Sequence, residues 1–229
     1  DFSGWSVSLS SDGNTVAIGA YKNDGNGSNS GHVRVYNYNG TTWTRVGDDI
    51  DGEAAGDYSG QSVSLNDDGT IVAIGARYND GNGGNSGHVR IYQNDNGTWT
   101  KVGDDIDGEA AGDLSGISVS LSSDGSTVAI GAPNDENSTD SGHVRIYQND
   151  NGTWTQVGAD IDGEAAGDGS GVSVSLSSDG NTVAIGAPHN YGNGSYSGHV
   201  RVYNLRGKGP APLTGTPTND DVGDHEVVI

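Results

Sequence analysis

The sequence predicts an all-β fold, a β-propeller or propeller segment of about four four-stranded antiparallel blades. Three observations point there. The stretch GDDIDGEAAGD at 47–57 recurs at 103–113 and, as GADIDGEAAGD, at 158–168. His32, His88, His143 and His199 are spaced 56, 55 and 56 residues apart, and Trp43, Trp99 and Trp154 keep the same step. Residues 1–56 match 57–112 without gaps at 40 of 56 positions, so one building unit is copied and every copy must fold alike. The units are 1–56, 57–112, 113–167 and 168–206, followed by a tail, 207–229.

Within the first unit, WSVSLS (5–10) alternates apolar and small polar residues with the period of a half-buried strand. SDGN supplies turn residues, and TVAIGA (15–20) is continuously apolar or small, as a strand covered on both faces must be. The Asn/Asp/Gly-rich loop NDGNGSNSG leads to a third strand, HVRVYN (32–37); YNGT makes a turn; TWTRV (42–46) is the fourth. Four short strands every ~40 to 55 residues describe a blade that buries its faces only against neighbouring blades. Trp43, Trp99 and Trp154 on the outer strand are therefore predicted to wedge between blades, not to serve as stacking platforms for sugar.

A meander of this order sends the first and third connections to one rim and the second loop and the inter-unit connector to the other. Fourteen connector carboxylates then gather on one rim, joined by Asp24, Asp80 and Asp135 from the adjoining loops. The whole chain carries 31 acidic against 10 basic residues, a formal charge of −21, which repels nucleic acid phosphate and anionic lipid headgroups. No nucleic acid partner is expected. No run approaches the ~20 apolar residues that span a bilayer, so no membrane insertion is expected either. The absence of cysteine excludes disulfides, thiolate metal sites and a cysteine nucleophile. The opening DFSG aligns with the interior of the later GDYSG, so the sequence reads as starting within a repeat of something longer or processed.

FSGWSVSLSSDGNTVAIGA followed by SGHVRVY, with DYSG, DLSG and DGSG each leading into VAIGA, resembles the FG-GAP repeat, the blade of the integrin α-chain propeller and of many surface proteins. The likeness covers about 1–206. It implies an extracellular or cell-surface location and an adhesive role. It also implies calcium in the first hairpin, where a D-x-D-x-D-G loop offers successive carboxylates. Here those loops read SSDGN, NDDGT, SSDGS and SSDGN, with only Asp12, Asp67 and Asp68, Asp124 and Asp179, too few for a calcium shell.

The connectors offer an alternative. Alternate carboxylates around a glycine suit a hard cation, making Asp49, Asp51, Glu53 and Asp57 candidate metal ligands, with Asp105, Asp107, Glu109 and Asp113, and Asp160, Asp162, Glu164 and Asp168, in the next two copies. Ca²⁺ is the cofactor expected there, and no other is implied. The competing account is that these acids cap turns and keep a repetitive β protein soluble. The four repeated histidines are expected to make a structural hydrogen bond to the neighbouring loop, and Arg34, Arg90, Arg145 and Arg201 to pair with carboxylates between blades. Asn26, Asn39, Asn96, Asn137, Asn151 and Asn193 head N-x-S/T sequons in predicted turns and are candidate glycosylation sites.

No motif occurs once and departs from the repeat, so no catalytic residue and no chemistry are predicted. In the fourth unit the expected GTWTQVGADI is missing. The final LTGTPTNDDVGDHEVVI (213–229) resembles the end of a dystroglycan-type cadherin-like domain, and HEVVI offers a substitute strand for an exposed sheet edge. The functional expectation is a non-catalytic extracellular interaction module that binds a protein or glycan, with cations at its acidic rim. The alternative is a structural repeat protein of a filament or matrix, self-associating through its repeats.

Overall fold

A computed structural model describes residues 1–134 and 140–205, together with the backbone of 211–213. The first sheet comprises β1 (Ser6–Leu9), β2 (Thr15–Ala20), β3 (His32–Tyr38), β4 (Trp43–Arg45) and β5 (Ile50–Asp51). The second holds β6 (Ser62–Leu65), β7 (Ile71–Ala76), β8 (His88–Asp95), β9 (Thr98–Lys101) and β10 (Ile106–Asp107). The third holds β11 (Ser118–Leu121), β12 (Thr127–Ala132), β13 (His143–Asp150), β14 (Thr153–Gln156) and β15 (Ile161–Asp162). The fourth holds β16 (Ser173–Leu176), β17 (Thr182–Ala187), β18 (His199–Asn204) and β19 (Ala211–Leu213). Among the described residues the strands of each sheet pair antiparallel, with the first four in the predicted meander order, so the chain is an all-β propeller segment of four blades. No helix among the described residues is long and apolar enough to cross a membrane.

Each acidic stretch holds a strand that the alternation pattern did not reveal. Ile50 pairs with Val33 and Asp51 with His32, so a two-residue strand shares the edge of β3 with β4. Ile50 is the one large apolar residue in its stretch and is buried, which anchors the acids on either side of it. In the fourth blade the missing outer strand is replaced by β19, paired Val202 to Leu213 and Asn204 to Ala211. Pro212, which has no N–H to donate, is tolerated on such an edge strand. Residues 214–229, with HEVVI and most of the cadherin-like stretch, lie outside the described residues, as do 135–139 and 206–210.

The core lies in the seams between blades. Val33, Val35 and Ile50 of the first blade meet Val63, Leu65, Val72 and Ile74 of the second, and equivalent residues fill the next two seams. Each such side chain removed from water contributes about 1.5 to 3 kcal/mol, so a blade is stable only with a neighbour. The innermost strands also hydrogen-bond across the seams. Ser8 Oγ accepts the Leu65 amide at 2.9 Å, Ser6 Oγ donates to the Gly60 carbonyl at 2.8 Å, and the Ser11 amide donates to the Asp67 carbonyl at 2.8 Å. Trp99 and Trp154 donate their indole N–H groups to Val46 and Val102 of the preceding blade, both at 2.9 Å, and pack on the seam clusters. Trp43, in the first blade, is exposed.

Candidate functional site

The third strand of every blade starts at a histidine because the glycine before it turns the chain sharply. Gly31 has φ +77°, and a side chain there would strike the Ser59 carbonyl, so the loop and the connector can lie against each other as a bridge. Asn26 ties them further, its amide donating to the Gly52 and Glu53 carbonyls at 2.8 and 3.1 Å. The connector therefore passes directly over the histidine.

This crossing assembles a cluster from two connectors. The carboxylate before the short strand faces the histidine of its own blade, whereas the glutamate after that strand reaches the histidine of the next. His88 Nδ1 lies 4.0 Å from Glu53 Oε2, 3.8 Å from Asp105 Oδ2 and 4.0 Å from Asp107 Oδ1. Among the described residues two such groups form, Glu53/His88/Asp105 and Glu109/His143/Asp160, and the first blade adds His32/Asp49/Asp51 from a single connector, each with its potential ligand atoms within 4.8 Å of one another. In the fourth blade His199 Nδ1 stands 3.6 Å from Glu164. These separations are too long for hydrogen bonds. Moreover, Nε2 of His88, His143 and His199 is buried without a hydrogen-bond partner. The single structural hydrogen bond expected of these histidines is thus replaced by an imidazole facing carboxylates across a gap.

Electrostatics separates the three clusters. Burial, and then the neighbouring arginine, lowers the pKa of His32, His88 and His143, that of His88 to about 4, which keeps each imidazole neutral and its lone pair available. Asp49 accepts two bonds from Arg34 Nε and one each from Arg34 and Arg45 guanidinium nitrogens at 2.7–3.0 Å, and these partners hold it ionised and neutralised. Asp105 is held by Lys101 at 2.6 Å. At the corresponding place in the third blade stands Gln156, whose amide donates to Asp160 at 2.6 Å and brings no charge. Burial first, and then Asp160, raises the pKa of Glu109. Glu109/His143/Asp160 is accordingly the cluster with the most uncompensated negative charge.

The other connector acids have different places. Asp57 and Asp168 are buried, each accepting from the amide three residues earlier and from the asparagine 22 residues later, Asn79 or Asn190. Asp113 is buried too, capping its turn at the Ala110 amide. Asp107 and Asp162 sit opposite His88 and His143 in register on the short strands, and Glu164 faces His199 and Arg201. Arg90, Arg145 and Arg201 do bridge blades, each reaching the glutamate and a carbonyl of the preceding connector. Arg34 instead grips Asp49 within its own blade.

The first hairpins do not fit a calcium ion. Asp12 accepts from Ser10 Oγ, the Asn14 amide and Asn14 Nδ2, and Asp124 is capped in the same way. Their carboxylates are consumed by the turn, which lowers both pKa values. Of the sequon asparagines, Asn39, Asn96, Asn151 and Asn193 are exposed, whereas the Asn26 amide is already engaged in holding the connector. Asn137 lies outside the described residues, as does Asp135.

The seams between the first and second and between the second and third blades each open beside a cluster into a cleft. One, of about 360 Å³, is lined by Asp104, Asp105, Asp107, Tyr147 and Trp154; its counterpart, of about 230 Å³, by Asp48, Asp49, Asp51, Tyr92 and Trp99. Asp105 belongs to both a cleft and the Glu53/His88 cluster.

The FG-GAP repeat family model matches residues 1–36 and 50–92. No curated protein matches the sequence. Among solved structures, the chain is similar to the periplasmic gluconolactonase PpgL of Pseudomonas aeruginosa, with TM-score 0.61 and 15% identity over 93% of this chain and 57% of that one. It is similar to a protein provisionally assigned as a 6-phosphogluconolactonase from Bacteroides uniformis, with TM-score 0.52 and 12% identity over 94% and 72%. Hydrazine synthase of Kuenenia stuttgartiensis aligns with TM-score 0.54 and 14% identity over 88% of this chain and 46% of its own. The chain thus spans only about half the length of two of these three. The prediction that such a chain carries no chemistry is corrected by these likenesses: the same fold occurs in proteins named as enzymes, so repeat symmetry and the lack of a singular motif do not exclude catalysis.

Proposed function

We propose, from the premise that this chain carries FG-GAP repeats, that it is a cation-dependent glycan-binding module of an extracellular or cell-surface protein. The observation that supports this reading is the sharing of Asp105 between the Glu53/His88 cluster and an aromatic-lined cleft. A cation held by the cluster would present its open coordination positions to hydroxyl groups in the cleft, where carboxylates accept their protons and an aromatic ring receives a sugar face. One imidazole nitrogen with two or three carboxylate oxygens suits zinc or a related transition ion better than calcium, which prefers six to eight oxygens. The sequence-level expectation of Ca²⁺ is therefore refined to a divalent ion with affinity for nitrogen.

Thermal melting tests the cation. Zinc at millimolar concentration is expected to raise the melting temperature by several degrees over EDTA, and His88→Ala, which removes the imidazole of the Glu53/His88/Asp105 cluster, is expected to abolish most of that gain. Glycan-array binding in zinc, lost in EDTA, tests the ligand. Equal melting with and without zinc, or binding that ignores the chelator, would defeat the proposal.

A further inference from the structure

Three seams are closed inside the chain, and among the described residues two half-seams are left open. In the second and third blades Val63, Leu65, Val119 and Leu121 are covered to 7–9% exposure by the preceding blade. Their counterparts in the first blade, Val7 and Leu9, are 63% and 60% exposed. At the other end Val200 is 44% exposed, whereas Val33, Val89 and Val144 at its position are wholly buried by the blade that follows. The strands of the two free faces are therefore complementary halves of an interface displayed three times within the chain, although the connector isoleucine that fills each internal seam, Ile50, Ile106 or Ile161, has no counterpart after the fourth blade.

The polar groups match as well as the apolar ones. Leu65, Leu121 and Leu176 donate their amides to Ser8, Ser64 and Ser120 of the preceding blade, which leaves Ser175 Oγ to serve the Leu9 amide. Ser6, Ser62 and Ser118 donate to the carbonyls of Gly60, Gly116 and Gly171, which leaves Ser173 for the Gly4 carbonyl. Gly19, Gly75 and Gly131 have the carbonyl of Gly60, Gly116 or Gly171 pressed on their Cα; at Gly186 the nearest neighbours in the same space all belong to Ser173 of its own blade.

We propose that a second copy of this chain seats its first blade on the free face of the fourth, reproducing the internal seam, and that two such contacts close an eight-blade ring of two chains. The contact is head-to-tail, and such contacts either close or grow into fibres. Closure at two chains keeps the ring at about eight blades, the upper end of the usual range, whereas a third chain would exceed it.

Sedimentation of the 229-residue chain tests this, with a species of twice 23.3 kDa expected at high micromolar concentration. Leu9→Glu charges one half-seam, and Gly186→Ala fills the pocket meant for the Gly4 carbonyl while meeting only a rotatable serine in its own chain. Each variant alone is expected to sediment as a monomer with an unchanged circular dichroism spectrum. Mixing them leaves one intact half of each kind and is expected to restore a pair. A monomeric parent chain, a dimer that survives either folded variant, a mixture that stays monomeric, or assemblies larger than two chains would each overturn the proposal; should Leu9→Glu fail to fold, the parent chain and Gly186→Ala decide it.

Discussion

Replacing Gly75 by alanine is expected to destabilise the chain by about 3 kcal/mol or more, at the upper end of the cost of overpacking a closed interface. An added Cβ would lie 2.0 Å from the carbonyl oxygen of Gly116 in the next blade and 2.4 Å from Ser62 Oγ. The serine can rotate away, but the carbonyl belongs to backbone fixed by the Gly116 to Gly131 hydrogen bond at 3.0 Å. Gly75 lies in β7, where its φ is one that alanine adopts freely, so the loss would arise from the blocked approach of two blades and not from local strain. For a chain of this size the melting temperature should fall by about 6 to 12 °C. Gly84→Ala, which meets nothing within 4 Å, is the matched control. Melting of Gly75→Ala together with the control would show that the second and third blades are not in the contact described.

Much of this architecture is legible in the sequence because the signals that specify it are local. The alternation of SVSL and the continuous apolar run TVAIGA report which strand faces are covered, and both form strands in all four blades. The wedge role of Trp99 and Trp154 follows from their recurrence on the outer strand, and their indoles do grip the preceding blade. The short strand at Ile50 escaped notice because two residues carry no period and lie within a run of charge. The histidine–carboxylate cluster escaped for a different reason. Glu53 and His88 are 35 residues apart, and only the packing of one blade on the next brings them to 4.0 Å. A signal did exist, since Glu109 and His143 are 34 apart and Glu164 and His199 are again 35, a nearly constant offset between one glutamate and one histidine per repeat. Grouping Asp57 with Asp49, Asp51 and Glu53 by sequence proximity likewise missed that the AAGD turn folds Asp57 inward, where Ala54 and Asn79 donate to it.

In EDTA, stability should fall as pH drops from about 6.5 toward 4, with the largest single share coming from His88. Its folded pKa, lowered to about 4 chiefly by burial and then by Arg90, lies below the unfolded value of 6.5. The sign follows directly: above about pH 6.5 the imidazole is neutral in both states, so its contribution is fully present. Between the two values the unfolded chain takes up a proton that the folded chain refuses, and that contribution is lost. A separation of about two and a half units at about 1.4 kcal/mol per unit gives a loss of about 3 kcal/mol by pH 4. His32 and His143 are shifted in the same direction and steepen the fall. Asp107 and Glu109 act oppositely, because burial raises their folded pKa values and their neutral forms favour the folded state as acid is added. For Asp105, burial is outweighed by the Lys101 hydrogen bond and the charges around it, so its net lowering adds a further loss at lower pH. Urea midpoints measured across this range should therefore slope downward from neutral to pH 5, before the carboxylates titrate in earnest. His88→Gln, which removes the titrating group at similar polarity, should flatten that slope, and a parent chain equally stable at pH 7 and pH 5, or a variant with the parent's slope, would show that this imidazole is not buried neutral at the seam.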